Sequence, residues 1–111
     1  MDEQSYFKDG IKYYQTKRVN ETCPLLYRAW MIKELERVRD KKKLHMDYLQ
    51  IFKFSLSEVD GKVMQKVTHV QEVPEYERTY CFEAEGEGLE DKLYIIDDGA
   101  GYATILYADE Y

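Results

Sequence analysis

Apolar and polar residues alternate most regularly between Asp47 and Pro74, in DYLQIFKFSLSEVDGKVMQKVTHVQEVP. A period of two is the mark of strands that turn one face to a core. Asp60-Gly61 interrupts the alternation, and this dipeptide supplies the positive-φ residues of a type I′ turn, whose twist matches that of the flanking strands. Such a turn fixes a register. With Val59 opposite Lys62, Phe54 falls opposite Val67, Phe52 opposite His69 and Leu56 opposite Gln65 on one face, and Ile51 opposite Val70 on the other. Apolar residues occupy both faces near Leu49 to Phe52, which places the hairpin in the interior of a sheet.

The rest of the chain is read around this hairpin. Residues 1–10 lack periodicity and are expected as a loosely held arm, with Tyr6 and Phe7 as docking points. Residues 11–19 alternate weakly and suit a short or edge strand. The run Asn20-Glu21-Thr22-Cys23-Pro24 signals a helix start, with Pro24 at the first helical position and Thr22 or Asn20 as cap. The helix is expected to run to about Lys42, burying Met31, Ile32, Leu35 and Val38 at helical spacing. Leu26 and Trp30 lie on another side, continued by Lys33, Glu34 and Arg37, and the N-terminal arm is the expected cover for Trp30. After Pro74 a strand over 76–83 carries Arg78, Tyr80 and Phe82 on one face and Thr79 and Cys81 on the other. Residues 85–91 form an acidic, glycine-containing loop. A second hairpin pairs 93–96 with 102–107, and the acidic residues 108–111 are read as extending its last strand. The fold expected is α+β: one long helix packed on a mainly antiparallel sheet of five to six strands, forming a single domain over 1–111.

Composition narrows the class. A chain of 111 residues, 44% hydrophobic, can bury a core without disulfides or metal. Eleven of its sixteen aromatic residues are tyrosine. Tyrosine serves equally as a strand former and as a half-exposed contact residue. No apolar run is long enough to span a membrane and no signal-peptide core follows Met1, so a cytosolic protein is expected. Cys23 and Cys81 lack metal-like or C-x-x-C spacing and are read as buried structural thiols.

Charge is more informative than the net value of −6. Residues 72–111 hold twelve acidic and two basic side chains, a net −10, whereas residues 1–71 hold fourteen basic and ten acidic, a net +4. Such segregation argues against nucleic acid as a ligand of the C-terminal part and points to a basic partner.

Catalytic motifs are weak. Asp97-Asp98-Gly99 resembles the opening of a metal loop, but the calcium-loop spacing and closing glutamate are missing, and a hairpin turn asks for the same residues. His69 shares a face with Phe52 and Phe54, and the sequence places no nucleophile or carboxylate beside it; Cys81 could meet it only through a favourable strand pairing. The glycine pairs are flanked by acids that would repel phosphate, and neither precedes a helix. No catalytic residue, cofactor or metal ligand is therefore assigned.

Several segments together carry a resemblance: Val19-Asn20-Glu21-Thr22 followed by Pro24; Asp47-Tyr48-Leu49-Gln50-Ile51-Phe52; His69-Val70-Gln71-Glu72 with Pro74-Glu75-Tyr76; and Ile95-Ile96-Asp97-Asp98-Gly99 with the closing Ala108-Asp109-Glu110-Tyr111. The chain resembles a small family from staphylococci, other Firmicutes and their mobile elements, numbered 960 among the domains of unknown function. The lysine-rich stretch at Lys41 to Lys43 and the loop at 85–91 are longer than that pattern. The resemblance implies a bacterial or phage cytosolic setting and no particular activity.

The leading expectation is a small acidic, non-enzymatic binding protein of phage origin that occupies a basic, nucleic-acid-binding site on a host protein, as an anti-CRISPR protein or other nuclease inhibitor would. Its surface would be Glu85, Glu87, Glu90 and Asp91 in one loop, Asp97 and Asp98 in another, with Tyr94, Tyr102 and Tyr107 as apolar contacts. Direct binding of nucleic acid or membrane is not expected. The alternatives are an acidic half that only solubilises the protein, a metal-dependent hydrolase built on Asp97 and Asp98, and a self-associating module using Leu26 and Trp30.

Overall fold

The computed structural model describes residues 5–111. The order of elements is β1 (Lys12–Gln15), α1 (Lys17–Thr22), α2 (Leu25–Asp40), β2 (Leu49–Val59), β3 (Lys62–Gln71), β4 (Tyr76–Glu83), β5 (Asp91–Asp97) and β6 (Tyr102–Tyr107), closed by a 3₁₀ turn over Ala108–Glu110. The β2–β3 hairpin has the register that its turn dictates, from Val59 opposite Lys62 to Ile51 opposite Val70. Asp60 and Gly61 take φ of 53° and 80°, the left-handed pair a type I′ turn requires. The six strands form one mixed sheet in the order β1-β6-β5-β2-β3-β4. Every pairing is antiparallel except the one between β1 and β6. The architecture is α+β.

The structure differs from expectation at four points. The first strand stops at Gln15 because Thr16 caps a short helix: its Oγ1 accepts from the Val19 N–H at 3.2 Å, and Val19 is driven into the core. Asn20 and Thr22 therefore lie inside α1 and do not cap the long helix, which begins after Pro24 without a side-chain cap. Instead of pairing with β4, β5 lies on the far side of β2, and β6 beyond it receives β1. The final residues turn instead of extending β6, with Glu110 Oε1 accepting from the Tyr107 N–H at 2.8 Å and from Thr16 Oγ1 at 2.9 Å.

One face of the sheet carries the core. The helical stripe of Met31, Leu35 and Val38 extends back one turn to Tyr27, and all four are buried with Phe52, Phe54 and Val67. Tyr27 stacks on Phe54 with ring centroids 5.6 Å apart. Trp30 is covered by the sheet and not by the described part of the arm: its ring meets Phe52, Tyr80 and Phe82 at 6.2, 5.0 and 5.9 Å. The arm goes elsewhere. Tyr6 N–H donates to the Met46 carbonyl at 2.9 Å, Phe7 is buried, and Arg39 donates to the Phe7 carbonyl at 3.0 Å. Residues 5–10 are thus held firmly where a loose arm was expected; residues 1–4 of that expectation lie outside the described residues.

Emptying the Phe54 site would leave Tyr27 without its stacking partner. Phe54→Ala is expected to cost roughly 3 to 5 kcal/mol in urea unfolding, and a cost below about 1 kcal/mol would contradict the face assignment.

Candidate functional site

The acids expected to act together are divided by the length of β5. The 84–90 loop enters that strand at Asp91 and the Asp98 turn leaves it after Asp97. Seven residues in extended geometry put these ends roughly 20 Å apart. Asp97 is moreover 5% exposed, and its carboxylate accepts the Phe7 N–H at 2.8 Å and the Gly99 N–H at 2.9 Å, so it fastens the arm and shapes the turn. Asp98 is exposed and accepts the Ala100 N–H. Asp91 is half-buried and pairs with Arg18 at 3.6 Å. Tyr107 is also inside: its hydroxyl lies 2.7 Å from Thr22 Oγ1 and Arg18 sits over its ring. Tyr94 and Tyr102 lie on the sheet face away from the core, in edge-to-face contact with Tyr111 and Tyr14 respectively.

Glu85, Glu87 and Glu90 are exposed as expected, and the fold adds to them. The 84–90 loop is strapped against the end of the β2–β3 hairpin: Leu89 N–H donates to Gln65 Oε1 and Gln65 Nε2 donates back to the Leu89 carbonyl, both at 2.8 Å. Ala84 N–H donates to the Val63 carbonyl at 3.0 Å. Gly88, at φ +76°, passes so close that a Cβ there would stand 2.5 Å from Leu56 Cδ2. Glu58, Asp60 and Glu83 consequently join the three loop glutamates at one acidic tip, with exposed Val59 and Val63 among them. None of these six carboxylates is in an ion pair with a described residue. Glu58 and Asp60 escaped the sequence reading because they stand 24 or more positions from the loop that meets them.

Beneath α2 lies a buried polar chain. Asp47 N–H donates to Gln71 Oε1 at 3.0 Å, and Gln71 Nε2 donates to the His45 and Pro74 carbonyls, so backbone groups fix the orientation of that amide. Gln50 must then turn its NH₂ to Gln71 Oε1 and the Asp47 carbonyl, at 2.6 and 3.0 Å. Its Oε1 faces His69 Nε2 at 2.7 Å, while His69 Nδ1 lies 3.3 Å from Glu34 Oε2. Both ring nitrogens thus lie within hydrogen-bond distance of side-chain oxygens. Glu34 also receives Arg37 Nε at 3.0 Å and the Tyr80 hydroxyl at 2.6 Å, and Arg37 donates to that hydroxyl in turn. Burial pushes the Glu34 carboxyl up, but the hydrogen bonds from His69, Arg37 and Tyr80 outweigh it and hold the group down at about 2.

Chemically this chain is closed. His69 is fully buried, stacked on Phe52 at 4.5 Å, and Glu34 is 4% exposed, so no substrate reaches either. Glu34 belongs to the core and not to the polar side of the helix where its spacing suggested. Cys81 is exposed and opposite Lys66 on the other face, so the Cys-His pairing does not form, and only Cys23 is a buried thiol. Burial raises Cys23 to about 11, against a smaller opposing pull from Arg28. A second polar feature lies at the arm, where a cavity of about 350 Å³ is lined by Tyr6, Lys8, Asp9, Ile11 and Asp97. Near Asp97 the buried Tyr13 hydroxyl has no hydrogen-bond partner among the described residues, and burial, with Glu36 and Asp97 adding to it against Arg39, pushes it up to about 12. Among the described residues no three His, Cys, Asp or Glu side chains converge as a metal-ligating group, and no helix is long and apolar enough to cross a membrane.

The fold and its surfaces define an α+β protein whose polar chain is buried beneath α2. No family model and no curated protein matches the chain. It is similar to the crystal structure of a protein of unknown function from Enterococcus faecalis, at 22% identity, with a TM-score of 0.65 and 98% of each chain covered. That likeness shows the same fold in the Enterococcus faecalis protein over nearly the full length of both chains.

Because Glu34 ionises in the folded state far below its ordinary 4.5, the stability it contributes is full above pH 4.5 and is lost as pH falls toward 2. The loss amounts to about 3 kcal/mol. In urea unfolding at pH 7 and pH 2.5, Glu34→Gln should be less stable than wild type at pH 7 and lose much less on acidification. Equal losses in the two proteins would contradict this account.

Proposed function

We propose that the protein is a non-catalytic binding protein whose acidic tip engages a basic site on a partner protein. The observation that carries this reading is the set of six exposed carboxylates, none in an ion pair with a described residue, on the hairpin end, the end of β4 and the 84–90 loop that Gln65 and Gly88 strap onto the hairpin. Carboxylates gathered along one end of the sheet present a field of the sign of a phosphate chain, and Val59 and Val63 offer apolar contact that salt does not screen. A cleft that binds nucleic acid is the strongest complementary field a cell presents. A nuclease inhibitor of the anti-CRISPR kind, encoded by a phage and acting in the bacterial cytosol, is the sharpest form of the proposal and rests on charge complementarity. Leu25 and Leu26 at the start of α2 are exposed and give a self-associating module a surface.

The test is Glu85→Lys/Glu87→Lys/Glu90→Lys, three changes at exposed positions that should move the melting temperature by only a few degrees. Partners captured by the wild type from bacterial lysate near 50 mM salt should be released by single-stranded DNA and by about 300 mM salt, and the triple variant should not capture them. Capture indifferent to salt and to the three reversals would exclude the acidic tip as the recognition surface.

A further inference from the structure

The arm, the core and the polar chain all use one face of the sheet; the opposite face is bare. Its strand residues follow from the registers. Leu106, Tyr94, Ile51 and Val70 form one row across β6, β5, β2 and β3. Two residues further along the strands, about 7 Å away, Lys92 is the direct cross-strand partner of Lys53, and Lys66 stands diagonally beside Lys53 on β3. Lys62 and Lys12 are on the same face, and its only strand acids are Glu77 and Glu83 on the edge strand β4. Lys53, Lys66 and Lys92 make a cationic cluster on a protein of net charge −6, with Lys62 six positions along the hairpin toward its turn and Lys12 on the far edge strand β1. None of the five is in an ion pair with a described residue.

Like charges directly opposite each other on neighbouring strands destabilise a sheet. Lys53 and Lys92 take that arrangement in the middle of an exposed face, and an anion laid over them would turn a cost into an attraction. Beside the lysines stand aromatic rings. Tyr111 (72% exposed) packs edge-on against Tyr94, and Tyr14 (53%) against Tyr102 (42%) next to Lys12.

We propose that this face binds single-stranded nucleic acid, with phosphates on Lys53, Lys66 and Lys92 and bases against Tyr94 and Tyr111, the strand continuing toward Lys12, Tyr14 and Tyr102. Tyrosine rings beside cations suit a flexible strand with exposed bases, since every base has a face that stacks. A duplex is disfavoured because a sheet face projects nothing into a groove. A second copy stacked through the same face would oppose the two lysine clusters. The proposal is independent of the acidic tip: it needs none of those six carboxylates, of which only Glu83, on the edge strand β4, also stands on this face.

The experiment is fluorescence anisotropy with labelled oligouridylate and oligothymidylate of about fifteen nucleotides, the matching duplex, and a poly-glutamate peptide. Binding of a single strand at low salt is expected, with log affinity falling against log salt at a slope of about −2 for three neutralised phosphates. Lys53→Gln/Lys92→Gln should reduce affinity at least about tenfold and bring the slope to about −0.7. Its melting temperature should be no lower than wild type, because the repulsion is relieved. Tyr94→Leu/Tyr111→Leu should weaken binding severalfold at unchanged slope. Failure of both strands to bind at low salt, or an affinity unmoved in the lysine variant, overturns the proposal. Poly-glutamate or duplex binding as tightly as the strand overturns it too, in favour of an acidic protein or of unspecific charge.

Discussion

A histidine with no exposed surface, held between Glu34 and Gln50, joins the long helix to the sheet. Nothing about the contact is optional. Glu34 comes from α2, His69 from β3, Gln50 from β2 and Tyr80 from β4, so four elements share one set of hydrogen bonds. The set ends on backbone groups of the connections at His45, Asp47 and Pro74, which gives each amide a single orientation. An apolar stripe alone would allow α2 to slide along the sheet; a buried charge tolerates one position, because leaving a partner unpaired in the core costs several kcal/mol. Arg37 shares the constraint, with its hydrogen bond to Glu34 raising an already high pKa against the opposing effect of burial.

The two candidate surfaces are consequences of this layout. With both helices and the arm committed to one face, the other is left to water, and the lysines of β2, β3 and β5 gather there. With β5 inserted between β6 and β2, the connection from β4 must cross the hairpin end, and it brings its glutamates to that tip. Charge that is segregated along the chain is therefore redistributed in space. Lys92 comes from the acidic half of the sequence and sits among lysines of the basic half, while Glu58 and Asp60 of the basic half join the acidic tip.

Where a feature is decided by neighbours in sequence, it was legible. Asp60-Gly61 determines the hairpin register, Pro74 bounds the strand that begins at Tyr76, and the apolar spacing around Met31 identifies the face of α2. Features decided by distant partners were not. The parallel pairing of β1 with β6 joins Lys12 to Tyr102, and no local pattern announces a contact over 90 positions. Glu34 reads as a solvent-side residue until His69 and Tyr80 are brought to it. Thr16 carried a signal that could have been used, a hydroxyl three residues before Val19, yet the weak alternation around it suggested a strand. The division of the acids needed only one fact that the sequence withholds, namely that β5 runs unbroken from Asp91 to Asp97.

The claim that a buried polar chain seats the helix is tested most directly by a double-mutant cycle on Glu34→Met and His69→Leu, read by urea unfolding at pH 7. Each single change takes one hydrogen bond from the other partner, which stays buried with its remaining partners, and should cost about 3 to 5 kcal/mol. The double variant should lose at least about 2 kcal/mol less than the sum of the two. Additivity within about 0.5 kcal/mol would contradict the account, because it would mean that the two side chains contribute to stability without depending on each other.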